Sequence, residues 1–127
     1  MTVQFLKRAV PSLLIILVVA LGCGQRSTAP PTPIAVEELP AALQKAFAKA
    51  KSPLKDLASQ AVEFLQAKDY GKAYQTVQNL TAQSGLNKQQ IEILTRGSMA
   101  LNTALQAAQS HGDQKAAETL NTYRINK

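Results

Sequence analysis

The apolar residues that follow Ile34 recur at intervals of three and four, and this spacing constrains the fold more than any other feature of the chain. Such a period places apolar side chains along one face of an α-helix. No segment alternates apolar and polar residues as a strand would, and no Asn-Gly or Asp-Gly hairpin signal occurs. The sequence therefore predicts an all-α domain.

Caps and helix breakers divide this domain into about five helices. The first lies within 36–51, and Pro40 marks the start of its regular part because proline fits the first turn of a helix. In the second, Ser52 is the predicted N-cap and Pro53 the first helical residue, and the helix ends near Lys68. The second helix is therefore bounded by a capping residue and a turn.

Two aspartates predict the starts of the third and fifth helices. Asp69 is the N-cap of the third helix, which stops at Gly85 because glycine favours the conformation that ends helices. His111-Gly112 ends the fourth helix in the same way, and Asp113 caps the last. The predicted connections between helices are two to four residues long. Connections of this length make consecutive helices antiparallel neighbours.

The fourth helix, predicted over 88–110, has the strongest start signal in the chain. Asn87 and Gln90 have the spacing of a capping box, in which each side chain accepts a hydrogen bond from the other residue's backbone. A hydrophobic staple is predicted between Leu86 and Ile91. The apolar stripe of this helix is predicted to comprise Ile91, Leu94, Ser98, Leu101, Leu105 and Ala108.

Gly97 and Ser98 interrupt that stripe with small side chains, so we expect another helix to cross closely there. The alternative is a glycine that is merely tolerated, at a cost of about 1 kcal/mol.

The segment A-V-E-F-L-Q-A-K-D-Y-G-K-A-Y at 61–74 resembles the turn of a tetratricopeptide repeat. In that family a helix ends, an Asp-Tyr turn follows, and an alanine packs the next helix closely. G-D-Q-K-A-A at 112–117 partly repeats the pattern. The two aspartates, Asp69 and Asp113, are 44 residues apart, whereas tetratricopeptide repeats are about 34 residues long. The predicted fold is five helices in antiparallel hairpins, either tetratricopeptide-like or a small helical bundle.

The N-terminus has the layout of an export signal. Lys7 and Arg8 form a short basic region, 13–21 form an apolar region, and Gly22 precedes Cys23, the only cysteine. The uncharged stretch is shorter than the roughly 20 apolar residues that span a bilayer.

The sequence A-L-G-C at 20–23 resembles the lipobox of bacterial lipoproteins. That family implies diacylglycerol on the thiol of Cys23, cleavage before it, and acylation of the new N-terminus with a fatty acid such as palmitate. Ala20 stands where leucine is usual. A plain secretory signal, an uncleaved anchor and a buried apolar thiol are the alternatives.

This interpretation divides the chain into 1–22, a lipoprotein signal peptide; 23–34, a lipidated cysteine with a Pro/Thr-rich tether; and 35–127, a helical domain. We expect an exported protein on the periplasmic face of the outer or inner membrane. Gly24 is not the aspartate that retains some lipoproteins at the inner membrane, which favours the outer one.

The residue inventory argues against catalysis. His111, the only histidine, lies at a predicted helix end, where it complements the helix dipole or is solvated. No second histidine or thiol of the mature chain completes a zinc site, and neither a G-x-S-x-G elbow nor a glycine-rich phosphate loop is present. We expect no enzyme activity, no metal and no cofactor.

Charge gives a weak signal. The net charge of +6 falls to +4 without Lys7 and Arg8, and the basic residues are spread out, so nucleic acid is not an expected partner. The densest basic cluster is Lys45, Lys49, Lys51 and Lys55. It is interpreted as a solvated helix face, or alternatively as a contact for anionic lipid headgroups or an acidic partner.

The remaining hypothesis is a lipid-anchored interaction module for another envelope protein or a peptide, bound in a groove between helical hairpins. Tyr70, Tyr74 and Tyr123 are the candidate groove residues, and Lys45 and Lys49 are further candidates for contact with a partner. The alternative for the tyrosines is packing in the core with their hydroxyls at the rim. The alternative function is a structural envelope spacer without a specific ligand, and a polar surface would favour it.

Overall fold

The computed structural model describes residues 30–126 as an all-α domain of five helices. Their bounds are α1 (Leu39–Phe47), α2 (Leu54–Gln66), α3 (Tyr70–Thr81), α4 (Lys88–Ser110) and α5 (Gln114–Ile125). The described residues contain no strand, so the predicted fold class is confirmed. None of these helices combines the length and hydropathy that a membrane span requires.

Each helix packs against the next, and α1 also packs against α4. The pairs α1–α2, α2–α3, α3–α4 and α1–α4 form a closed cycle of packed neighbours, so the first four helices form a bundle. α5 packs against the far half of α4 and contacts α3 as well. The bundle and the α3–α4–α5 group share α3 and α4, and the 23 residues of α4 extend through both.

Two clusters of buried side chains form the core. The larger lies inside the four-helix bundle and includes Leu39, Leu43, Phe47, Leu80, Leu94 and Leu101. The smaller lies under α5 and consists of Leu105, Ala116 and Leu120. Tyr70 and Tyr74 on α3 pack against both clusters and so join them.

Most of the predicted caps are confirmed. Asp69 and Asp113 are the N-caps of α3 and α5, and each carboxylate accepts a hydrogen bond from a backbone N–H at 3.2 Å. Asn87 caps α4, and both hydrogen bonds of the predicted capping box with Gln90 are present.

The predicted cap of α2 is wrong. α2 begins at Leu54 with Pro53 at the N-cap position, and no side chain caps it. The Ser52 hydroxyl instead donates a hydrogen bond to the Asp56 carboxylate at 2.7 Å. The Lys55 N–H, which a cap at Ser52 would satisfy, donates to the Lys51 carbonyl at 3.1 Å.

The close helix crossing expected at Gly97 is confirmed. Leu39 of α1 lies directly over this glycine, and a Cβ added there would be 2.7 Å from Leu39 Cδ1. Ser98 is half-buried, and its Oγ accepts a hydrogen bond from Gln78 Nε2 at 3.4 Å. Gly97 therefore lets α1 and α4 approach each other.

The predicted stripe of α4 is wrong at its first residue. Ile91 is 49% exposed, whereas its neighbour Gln90 is 5% exposed. The Gln90 side chain is buried because it has two partners there: its Oε1 accepts from the Asn87 N–H at 3.0 Å, and its Nε2 donates to the Ala46 carbonyl at 3.2 Å. A polar side chain thus links the start of α4 to the last turn of α1.

We expect Gln90→Ala to lower the free energy of unfolding by about 1–3 kcal/mol, because the change leaves the Asn87 N–H and the Ala46 carbonyl without their partner. Urea denaturation followed by circular dichroism measures this loss. Gln89→Ala, at an exposed neighbouring position, is the matched control and should change stability by less than about 0.5 kcal/mol. Equal losses in the two variants would contradict the role of Gln90.

Candidate functional site

The α2–α3 and α4–α5 turns have the same backbone geometry. The residue before each capping aspartate has a positive φ, 57° at Lys68 and 88° at Gly112. The N–H groups of Asp69 and Asp113 each donate to a carbonyl five residues earlier, at 2.9 and 3.0 Å. The partial repeat seen in the sequence is therefore a repeated turn.

These two turns lie beside one cleft, whose volume is ≈ 610 Å³. Its apolar floor comprises Leu105 and Ala116, which are buried, and the half-buried Tyr70. Its charged rim comprises Lys68, Asp69, Lys72, Asp113, Lys115 and Glu118. An apolar floor with charges of both signs around it suits a polypeptide segment better than a small apolar ligand.

Gly71 lets α3 and α5 approach each other beside the cleft. A Cβ at this position would be 3.0 Å from Thr119 Oγ1 of α5, which is tighter than an ordinary side-chain contact. Because glycine has no side chain, Gly71 allows α3 and α5 to lie this close beside the cleft.

Lys72 on the rim lies near both a carboxylate and an aromatic ring. Its Nζ is 3.6 Å from Asp69 Oδ2 and 5.6 Å from the centre of the Phe64 ring. The pair with Asp69 is exposed to solvent and therefore contributes little to stability, since such pairs contribute about 0–1 kcal/mol. Both charges remain accessible to a ligand in the cleft.

The three predicted tyrosines lie where α3 and α5 meet, Tyr70 and Tyr74 on α3 and Tyr123 on α5, but their surroundings differ. Tyr70 lines the cleft, whereas Tyr74 and Tyr123 do not. Tyr74 packs against both core clusters, and its ring meets that of Tyr123 edge-on, with centroids 4.6 Å apart. All three are half-buried. Tyr70 therefore remains a candidate binding residue, and Tyr74 and Tyr123 hold α5 against α3.

Burial raises the pKa of Tyr123 above its usual value of 10, and the nearby Tyr74 raises it further. The folded protein therefore holds this proton more tightly than the unfolded chain. The resulting stabilisation is complete below the unfolded pKa and is lost as the pH rises through the folded one.

We expect the free energy of unfolding of the wild-type protein to fall more between pH 9 and pH 11 than that of Tyr123→Phe. The variant keeps the ring against Tyr74 but has no proton to lose at this position, and lysine titration affects both proteins alike. Urea titrations across this pH range measure the difference. The same fall in both proteins would show that Tyr123 does not titrate differently on unfolding.

The predicted basic residues Lys45 and Lys49 are exposed and lie away from this cleft. Near them, a smaller groove of ≈ 310 Å³ runs between α1 and α2, with Leu43 and Phe47 at its base and Lys55 at its edge. The structure thus places the predicted lysines and the predicted tyrosines at different sites.

Within residues 30–126, no group of three or more His, Cys, Asp and Glu side chains is placed to hold a metal ion. His111 is the exposed C-cap of α4.

Cys23 and the predicted signal peptide 1–22 lie outside the described residues. The last part of the predicted tether lies within them and contacts the domain: Arg96 Nε donates to the Thr32 carbonyl at 2.9 Å, and Ile34 packs against the larger core cluster. The polypeptide therefore joins the bundle beside α4, before α1 begins.

The sequence did not reveal the cleft, because its floor depends on how α5 packs against α3. The two Asp-capped turns were the signal that could have indicated it, since they recur with the same chemistry and face the same space.

Comparison with known proteins found no matching family model, no similar curated protein and no similar solved structure.

Proposed function

We propose that this chain is an exported lipoprotein, anchored through Cys23, whose helical domain binds another envelope protein or a peptide without catalysing a reaction. The observation that carries the binding role is the cleft between α3 and α5, with its apolar floor and its rim of accessible charges. The lipid anchor is supported by the lipobox-like sequence A-L-G-C before Gly24.

The cleft favours an extended or helical segment with both apolar and charged side chains. Tyr70 supplies an aromatic surface with a hydroxyl, and such side chains are common at protein interfaces. Lys72 and Lys115 on the rim offer partners for acidic groups, and Asp113 and Glu118 for basic ones. A mixed rim fixes the register of a bound segment more than it adds affinity.

The surface also supports the second candidate, a structural spacer without a specific ligand. The exposed large apolar side chains of residues 30–126 are Ile91, Met99 and Ile125, and none of them lines the cleft. A spacer requires only a folded, soluble domain at a fixed distance from its anchor.

Site-specific photo-cross-linking in intact cells separates the two functions. A photoreactive residue replaces Gln75, which is exposed and lines the cleft, or Gln60, an exposed glutamine of α2 outside it. The binding role predicts a discrete cross-linked product from position 75 and none from position 60. The spacer role predicts no product that depends on the cleft position.

A charge-reversal variant tests whether such a cross-linked product depends on the cleft itself. Lys115→Glu reverses one charge of the rim at an exposed position and leaves the apolar floor intact. We expect this change to reduce cross-linking from position 75 several-fold, because it alters the charge pattern that sets the register. An unchanged yield would contradict recognition at the rim.

A further inference from the structure

Half of the basic residues of the described chain lie at one end of the helical bundle. Lys45, Lys49, Lys51 and Lys55 surround the α1–α2 connection, and Lys88 begins α4. All five are exposed. We refer to this end, formed by residues 45–56 and 82–92, as the lysine end.

The antiparallel packing brings these lysines together although they are distant in sequence. Gln90 Nε2 donates to the Ala46 carbonyl at 3.2 Å, so the last turn of α1 is fixed beside the first turn of α4. Lys45 precedes Ala46, and Lys88 lies two residues before Gln90. The α1–α2 and α3–α4 connections therefore lie at the same end of the bundle.

The acidic residues at the lysine end are few and already engaged. Asp56 accepts a hydrogen bond from Ser52, and Glu92 is 3.7 Å from Arg96. The lysine end carries a net charge of +3, and the remainder of residues 30–126 carries −1. Positive charge is therefore concentrated at one end of the domain. This end lies opposite the cleft beside the α2–α3 and α4–α5 turns.

The point at which the tether joins the domain allows the lysine end to reach a membrane. The Thr32 carbonyl contacts Arg96, which is eight residues along α4 from Lys88, or about 12 Å at the rise of an α-helix. Residues 24–31 connect this point to Cys23, and eight extended residues can span about 25 Å. The tether is thus long enough for the lysine end to touch the surface that holds the anchor.

We propose that the lysine end docks on anionic phospholipid headgroups, with lysine ammonium groups bound to lipid phosphates. The orientation that results rests on the proposed lipid anchor: the lysine end faces the membrane, and the cleft faces away from it and is open to a partner. Basic residues close to an anionic surface each strengthen binding by roughly five-fold, and salt weakens this attraction.

Vesicle binding by the non-lipidated chain tests the docking by itself. Residues 24–127 contain all the side chains that the described part of the structure places in the two core clusters, so we expect this part to fold without the first 23 residues. We expect it to sediment with vesicles of phosphatidylcholine and phosphatidylglycerol at low ionic strength. It should not sediment with phosphatidylcholine alone, nor with the anionic vesicles in about 1 M salt, where charges are screened beyond about 3 Å.

Two variants with the same change in charge identify the surface. The first variant replaces four lysines of the lysine end with Gln: Lys45, Lys49, Lys51 and Lys55. The second replaces four basic residues elsewhere with Gln: Lys68, Lys72, Lys115 and Arg124. The first should weaken binding to anionic vesicles roughly 100-fold or more, and the second only a few-fold. Circular dichroism melts confirm that both variants fold. Equal losses in the two variants, or equal binding to neutral vesicles, would overturn the proposal.

The result of the vesicle-binding experiment does not depend on the lipid anchor. The chain used here lacks Cys23, so failure of lipidation in cells leaves vesicle binding intact, and failure of vesicle binding leaves lipidation intact. If the chain ignores anionic vesicles but its lysine end binds poly-glutamate, the surface recognises an acidic polypeptide and the membrane docking is wrong.

Discussion

We expect Cys23→Ser to abolish incorporation of fatty acid into the protein. The proposed anchor attaches acyl chains through this thiol, and the chain has no other cysteine to take its place. Each buried methylene contributes about 0.8 kcal/mol to membrane binding, so a multiply acylated cysteine would hold the domain far more firmly than one chain. Growth with an alkyne-tagged palmitate analogue, followed by coupling to a fluorophore, measures incorporation directly.

A relocated thiol provides the matched control. The double variant Cys23→Ser/Ser27→Cys restores one cysteine four residues later, outside the A-L-G-C sequence. Because the proposed modification depends on the residues that precede the cysteine, we expect this variant to remain unlabelled. Labelling of the double variant, or of Cys23→Ser alone, would contradict a lipobox at this position.

The second large effect is expected where α1 crosses α4. Leu39 is fully buried against Gly97, and Leu39→Ala should lower the free energy of unfolding by about 2–5 kcal/mol through lost burial and a new cavity. Gly97→Ala should lower it by about 1 kcal/mol: overpacking costs about 1–3 kcal/mol, and the better helix propensity of alanine returns part of it. Chemical denaturation of both variants gives these values.

The double variant Leu39→Ala/Gly97→Ala tests whether the two residues act through their contact. The methyl group added at Gly97 would occupy part of the space that Leu39 leaves, so the double variant should lose no more than Leu39→Ala alone. Met99→Ala, at a position 37% exposed on the same helix, is the control and should have a small effect. Strictly additive losses of stability would show that contact with Leu39 does not limit the size of the side chain at position 97.

The helices were predictable because their ends are marked by local chemistry. Asp69, Asn87 and Asp113 cap helices through hydrogen bonds to residues three positions later, and such pairings depend on nearby sequence alone. Gly97 was also informative, since a small residue on an apolar stripe has few explanations other than a close neighbour.

Other features depended on contacts between distant residues and were not predictable. The burial of Gln90 in place of Ile91 follows from a partner 44 residues earlier in the chain, the Ala46 carbonyl. The same limit applies to the candidate site, because Tyr70 and the floor of the cleft come together only when α5 packs.

The central claim is that an acylated Cys23 anchors this helical domain outside the cytoplasm. Intact-mass spectrometry of the protein purified from membranes tests it most directly. The proposed function predicts a chain that begins at Cys23 and exceeds its polypeptide mass by a diacylglycerol group and, where the N-terminus is also modified, by a further acyl group. A chain with the mass of the unmodified precursor, or a cleaved chain with a free thiol, would contradict it.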